Sequence, residues 1–212
     1  TGSPIGLSCQ NSSGRFYNNY IRDVFTGSLT SAATRPCGIQ GSGLSPDTSK
    51  IYNNFVTGIR KGYTGAASAT IAIVGLRSTQ QGGGGIVSWD YNTVYLSSVS
   101  PLNVTSIAYA SFAGGVVYIT RNNIFFNNIS TASVTSRSVA IQDANTQVAP
   151  APSGLMKSNF NDLYAPGTNG AVGLNGSATF RNTLADWQSN NTSAALSLDT
   201  ASSNVNVNFV NS

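Results

Sequence analysis

The sequence predicts an all-β chain wound as a parallel β-helix, and three observations lead there. The composition suits strands and tight turns, two short motifs recur with one shared period, and no helical periodicity accompanies them. Asn (23), Gly (22), Ser (30) and Thr (20) together make 95 of the 212 residues, while charged residues are 8% and hydrophobic residues 40%. β-Branched and aromatic residues punctuated by Asn and Gly are the vocabulary of strands and bends. The hydrophobic fraction at so low a charge argues against disorder.

The first motif is an Asn followed by apolar residues. It reads Phe16-Tyr17-Asn18-Asn19-Tyr20-Ile21, Ile51-Tyr52-Asn53-Asn54-Phe55-Val56, Tyr91-Asn92-Thr93-Val94-Tyr95, Arg121-Asn122-Asn123-Ile124-Phe125-Phe126 and Asn159-Phe160-Asn161-Asp162-Leu163-Tyr164. With Asn19, Asn54, Asn92, Asn123 and Asn161 as anchors, the spacings are 35, 38, 31 and 38. The second motif is a small residue before an apolar one: Gly6-Leu7, Gly38-Ile39, Gly75-Leu76, Ala108-Tyr109, Ala140-Ile141 and Gly173-Leu174, at spacings of 32, 37, 33, 32 and 33. Two motifs in phase at about 34 residues define a repeat. Helical repeats of this length need a 3.6-residue apolar pattern, and propeller blades need four strands in a longer unit. A β-helix coil needs only short strands joined by polar turns. Thr70–Val74 and Gly115–Ile119 supply such strands, and Gln80–Gly85 a turn of variable length. Five to six coils are expected, in a single domain over 1–212, giving a rod about 25–30 Å long.

Stacked coils turn the repeat into columns. Ile21, Val56, Val94, Phe125 and Leu163, two places after the anchors, should face the core. Strand alternation sends the anchors inward with them. Asn19, Asn54, Asn92, Asn123 and Asn161 are therefore expected to form a ladder, each amide donating to the carbonyl of the next, because buried amides need partners. Tyr20, Phe55 and Ile124, with Tyr95, Phe126 and Tyr164, have the opposite parity. They are expected either as an exposed stripe, for glycan stacking or lateral contact, or beneath a loop or the C-terminal helix. Cys9 and Cys37 share parity with Leu7 and Ile39 and should both point inward. In register they stand four residues apart, roughly 13 Å, too far for a disulfide, whereas export favours a bridge.

The chain has no His and no Glu, and its Asp residues stand at 23, 47, 90, 143, 162, 186 and 199. Without His there is no Ser-His-Asp triad and no His-ligated metal. Taken in succession the Asp spacings are 24, 43, 53, 19, 24 and 13, so no carboxylate pair is expected one repeat apart. No catalytic residue, metal or cofactor is expected. The net charge of +4 is scattered, with no basic stripe for nucleic acid. No apolar run reaches the length of a membrane span. Nor is a signal peptide present, so the chain reads as a mature or excised piece.

The run Val87-Ser88-Trp89-Asp90-Tyr91-Asn92-Thr93-Val94-Tyr95-Leu96 resembles the repeat segments of very large secreted surface proteins of Gram-negative bacteria. Arg121–Phe125, Ser158–Tyr164, Thr183–Gln188 and Asn206–Val210 follow in that family's order. The resemblance implies a right-handed parallel β-helix of the pectate-lyase-like class, as does the crossover rule. It also implies a short helix at about 183–189, with Thr183 as N-cap and Asp186 at its third position, and a closing strand at about 204–210. Export and a surface role without catalysis follow from it. Because the repeat begins at Gly6-Leu7 with no cap before it, the first coil is expected to be open. The expected function is a non-catalytic extracellular structural module that stacks end to end into a fibre, or joins neighbouring segments of a large adhesin. The alternatives are a glycan-binding module, with surface glycans as partners, and a polysaccharide-active enzyme.

Overall fold

The computed structural model describes residues 3–10, 13–27, 34–43, 48–79, 85–98, 100–112, 117–143, 156–176, 179–189 and 199–209. The glycine run at 82–84, Val116 and Val210 lie outside these residues. The described chain is a parallel β-solenoid of about four turns with one short helix.

It opens with β1 (Ile5–Cys9), β2 (Arg15–Tyr17), β3 (Tyr20–Ile21) and β4 (Phe25–Thr26). The next level repeats the set as β5 (Cys37–Gly41), β6 (Thr48–Tyr52), β7 (Phe55–Thr57) and β8 (Arg60–Lys61). Then come β9 (Ser68–Thr79), β10 (Ile86–Asp90) and β11 (Thr93–Ser97), followed by β12 (Val104–Phe112), β13 (Val117–Arg121) and β14 (Ile124–Asn128). The last are β15 (Ser138–Asp143), β16 (Met156–Asn159), β17 (Asp162–Tyr164), β18 (Gly170–Asn175), β19 (Thr179–Arg181) and helix α1 (Leu184–Ser189). Each strand pairs in parallel with its counterpart one level away. The first sheet runs β1-β5-β9-β12-β15-β18-β19, the second β16-β13-β10-β6-β2, the third β17-β14-β11-β7-β3, and β4 pairs with β8.

The small-residue motif marks a bend in the first sheet. The register passes from Cys37↔Val74 to Ile39↔Leu76 without pairing the residue between. Here the chain comes close to the column beyond each ladder Asn. A Cβ on Gly6 would lie 2.5 Å from Ile21 Cγ2, on Gly38 2.3 Å from Val56 Cγ1, and on Gly75 2.4 Å from Val94 Cγ1. Small side chains let the sheets meet across the core. The sixth expected member of this motif is out of step. Ile141 pairs with Gly173, so Val172 and not Gly173 holds the equivalent place. Gly173 is small for another reason: its Cβ would lie 2.0 Å from Trp187 Cε3 on α1.

The bend also interrupts strand alternation. Ile39 belongs to the main core with Trp89, Tyr109 and Phe125, while Cys37 joins Val74, Ile107 and Val139 in a second cluster on the first sheet's other face. The expectation that both cysteines point inward is thereby corrected: Cys9 lies in the main core and Cys37 does not. Two inward residues in succession at the bend reverse the parity on which that expectation rested.

The two ends of the solenoid differ. At one end β1, β2, β3 and β4 each pair with a single described strand. At the other, β16 and β17 are likewise outermost strands paired with one strand each, but β19 runs antiparallel against β18. Residues 199–203 lie against β16 and β17 through Asp199 N–H to the Ser158 carbonyl and the parallel Ser203–Asp162 bridge. Helix α1 follows, with Asp186 N–H donating to Thr183 Oγ1 at 3.1 Å and Trp187 fully buried. The expected closing strand at 204–210 is corrected: residues 204–209 form no strand, and only Ser203 makes a parallel bridge, to Asp162.

Candidate functional site

The most elaborate local arrangement is the bend between the second and third sheets. The residue before each ladder Asn has left-handed backbone: φ is 57° at Asn18, 54° at Asn53, 56° at Tyr91, 56° at Asn122 and 56° at Phe160. That conformation turns the chain in two residues. Asn adopts it readily, whereas other L-residues lose about 1–2 kcal/mol there.

Next to it stand the ladder residues. Nδ2 of Asn19 donates to Oδ1 of Asn54 at 2.8 Å, Asn54 to Asn92 at 2.8 Å, Asn92 to Asn123 at 3.1 Å and Asn123 to Asn161 at 3.0 Å. Each of those Oδ1 atoms also accepts the preceding rung's backbone N–H, at 2.8–3.1 Å. The second amide proton goes to a backbone carbonyl: Tyr52 for Asn54, Ile51 for Asn92, Trp89 for Asn123 and Thr120 for Asn161. Asn54, Asn92, Asn123 and Asn161 are at most 2% exposed, so this satisfaction is required.

The ladder ends on Asp199. Its Oδ1 accepts from Asn161 Nδ2 (3.1 Å), Ser158 Oγ (2.8 Å) and Ser202 Oγ (2.6 Å), and its Oδ2 from the Trp187 indole N–H (2.8 Å). Asp199 is fully buried. Sequence reasoning missed it, although it stands 38 residues after Asn161, one repeat on. Asp162 and Asp199 are likewise 37 residues apart, which corrects the expectation of no carboxylates one repeat apart. They serve separate segments: Asp162 Oδ1 accepts from Ser203 Oγ and Val205 N–H.

The expected aromatic stripe is divided. Tyr20 is 59% exposed, Phe126 is 5% exposed, and Phe55, Tyr95, Ile124 and Tyr164 are half-buried. Phe209 lies over its centre, with ring centroids 4.7 Å from Tyr95, 5.4 Å from Phe126 and 6.2 Å from Phe55. The terminal segment crosses the third sheet as a strap. Uncovered aromatics gather instead at the bend, where Tyr17 stacks on Tyr52 at 5.0 Å and Tyr91 and Phe160 are 63% and 57% exposed.

Cys9 and Cys37 are free thiols. Desolvation pushes each up to about 12, so neither is a nucleophile near neutrality. A concavity near β4 and β8 has its charges committed: Asp23 Oδ1 holds Arg60 at 2.7 Å, and Lys61 Nζ bonds Thr34 Oγ1 at 3.0 Å. Among the described residues no three His, Cys, Asp or Glu side chains gather to hold a metal. No helix there is long and apolar enough to cross a membrane. No family model, curated protein or solved structure matches the chain.

Proposed function

We propose that the chain is a non-catalytic extracellular structural module, built as a right-handed β-helix of five to six coils. In this reading it is a segment of the pectate-lyase-like kind found in large secreted bacterial surface proteins. The observation that carries the reading is the asymmetry of the two ends. Unpaired strand edges recruit other strands, and β1–β4 present such edges on one end of the described chain. At the other end β19 pairs along the first sheet's edge, and residues 199–203 bond to β16 and β17, the outermost strands of the second and third sheets.

Of the two forms of association, this asymmetry favours a module joined to neighbouring β-solenoid segments through the β1–β4 edge. A head-to-tail fibre needs both ends open. The interior suits a mechanical role, since a filled core and a continuous amide ladder resist distortion along the whole stack.

Light scattering and electron microscopy of the purified chain test the proposal. Association should rise with concentration and stop at small oligomers. It should fall away when Ser8→Lys and Tyr17→Lys place charge on the exposed side of β1 and β2. Monodisperse 22 kDa particles at every concentration would contradict the open-edge reading, and long fibres would contradict the closed end.

A further inference from the structure

Tyr91 and Phe160 occupy positions that the fold would fill better with Asn. Both have a φ of 56°, in a column whose other members are Asn18, Asn53 and Asn122. Neither ring gains burial in exchange, at 63% and 57% exposure. The Tyr91 ring stacks on no other ring or cation, and its hydroxyl makes no hydrogen bond, among the described residues. Backbone strain kept at an exposed aromatic, with no packing to offset it, points to use of the ring itself.

The surroundings narrow the use. Register pairs Asp90 with Arg121 and Arg121 with Asn159, so Tyr91, Asn122 and Phe160 stand on successive rungs. The two rings are therefore two strand spacings apart, about 9.6 Å, which matches the advance of two sugar rings along an extended polysaccharide. Beside Tyr91 a groove of about 340 Å³ is lined by Asn18, Tyr20, Asn53, Phe55 and Thr93, all uncharged. Within it Asn53 Nδ2 donates to Asn18 Oδ1. Asn18 Nδ2 and Asn53 Oδ1 make no hydrogen bond among the described residues, leaving a donor and an acceptor facing outward. The flanking charges stand in pairs, with Asp90 Oδ1 3.1 Å from Arg121 Nε, and Arg22, 5.7 Å over the Tyr20 ring, 3.8 Å from Asp23 Oδ2.

Aromatic faces at a two-sugar interval, amides between and beside them, and no charged lining residue are the chemistry of a neutral glycan. We propose that the outer column Tyr91–Asn122–Phe160, continued by the Asn18–Asn53 groove, binds an extended neutral polysaccharide. Tyr91 and Phe160 stack on its sugar faces and the amides bond its hydroxyls. This site lies on the bend and meets the stripe only at Tyr20 and Phe55, where its groove borders the third sheet, and it does not depend on the open-edge reading.

The intact chain would be titrated calorimetrically with cellohexaose, chitohexaose, xylohexaose and mannohexaose, with hexagalacturonate as the charged comparison. Binding of at least one neutral hexasaccharide is expected, at least about tenfold weakened by Tyr91→Asn or Phe160→Asn and kept by Phe160→Tyr. Because Asn suits the left-handed backbone, Tyr91→Asn should unfold at a temperature equal to or above that of the unsubstituted chain. Failure to bind any neutral hexasaccharide, undiminished binding by Tyr91→Asn, a preference for hexagalacturonate, or a lowered melting temperature in Tyr91→Asn would each overturn the proposal.

Discussion

At the scale of single residues, stability rests on the ladder being unbroken. Asn92 satisfies a side-chain carbonyl, a side-chain amide, a backbone N–H and a backbone carbonyl at once. Asn92→Ala strands these buried partners, and we expect a loss of about 2–4 kcal/mol in urea unfolding. Asn128→Ala, at an exposed position, should cost less than about 0.5 kcal/mol. Equal losses would mean that the amides do not act as a ladder. The ladder was legible in the sequence because the same residue type recurs at one spacing. Its terminus was not. Asp199 keeps the spacing, but a carboxylate replaces the amide because this position must accept from Ser158, Ser202 and Trp187 as well as Asn161. A search for the repeat position without regard to residue type would have found it.

At the scale of elements, the small-residue bend makes a sharper claim. Gly38→Ala would put a methyl group into Val56 Cγ1, and forcing a core apart by that much costs about 1–3 kcal/mol. The prediction is that Val56→Ala, destabilising alone, recovers part of this loss in the double variant. Purely additive losses in chemical unfolding would show that the two do not meet. The repeat pointed to the small column but placed its last member one residue late, at Gly173, because the sequence carries no mark separating two reasons for a glycine. Gly6, Gly38 and Gly75 must be bare for the first sheet to approach the third; Gly173 needs to be bare for Trp187. The C-terminal strap misled for a similar reason. Asn206-Val207-Asn208-Phe209 alternates as a strand does. Its neighbour β17 is engaged by Ser203, Asn204 and Val205, and left-handed backbone at Asn208 (φ 45°) turns the chain across the sheet instead.

At the scale of the whole molecule, the parallel solenoid followed from two motifs repeating in phase, and the difference between its ends did not. Openness and closure depend on which strand edges meet another strand. The antiparallel return of β19 occupies only three residues with no distinctive pattern. The same difference sets the energetic gradient along the rod. Strands β10 to β15 have neighbours on both sides, and β18 is paired with β19 and packed by α1. Strands β16 and β17 pair with one strand each and are met on the other side by residues 199–203, whereas β1–β4 rest on one neighbour each. Regions with fewer buried contacts open more readily. Hydrogen exchange, followed peptide by peptide at low and high protein concentration, tests this most directly. Fast exchange is expected over residues 5–26 in dilute solution, slowing as concentration rises and the open edge finds a partner, with little change over residues 156–176 and 199–209. Protection of residues 5–26 equal to that of the closed end in dilute solution, or unaltered by concentration, would contradict it.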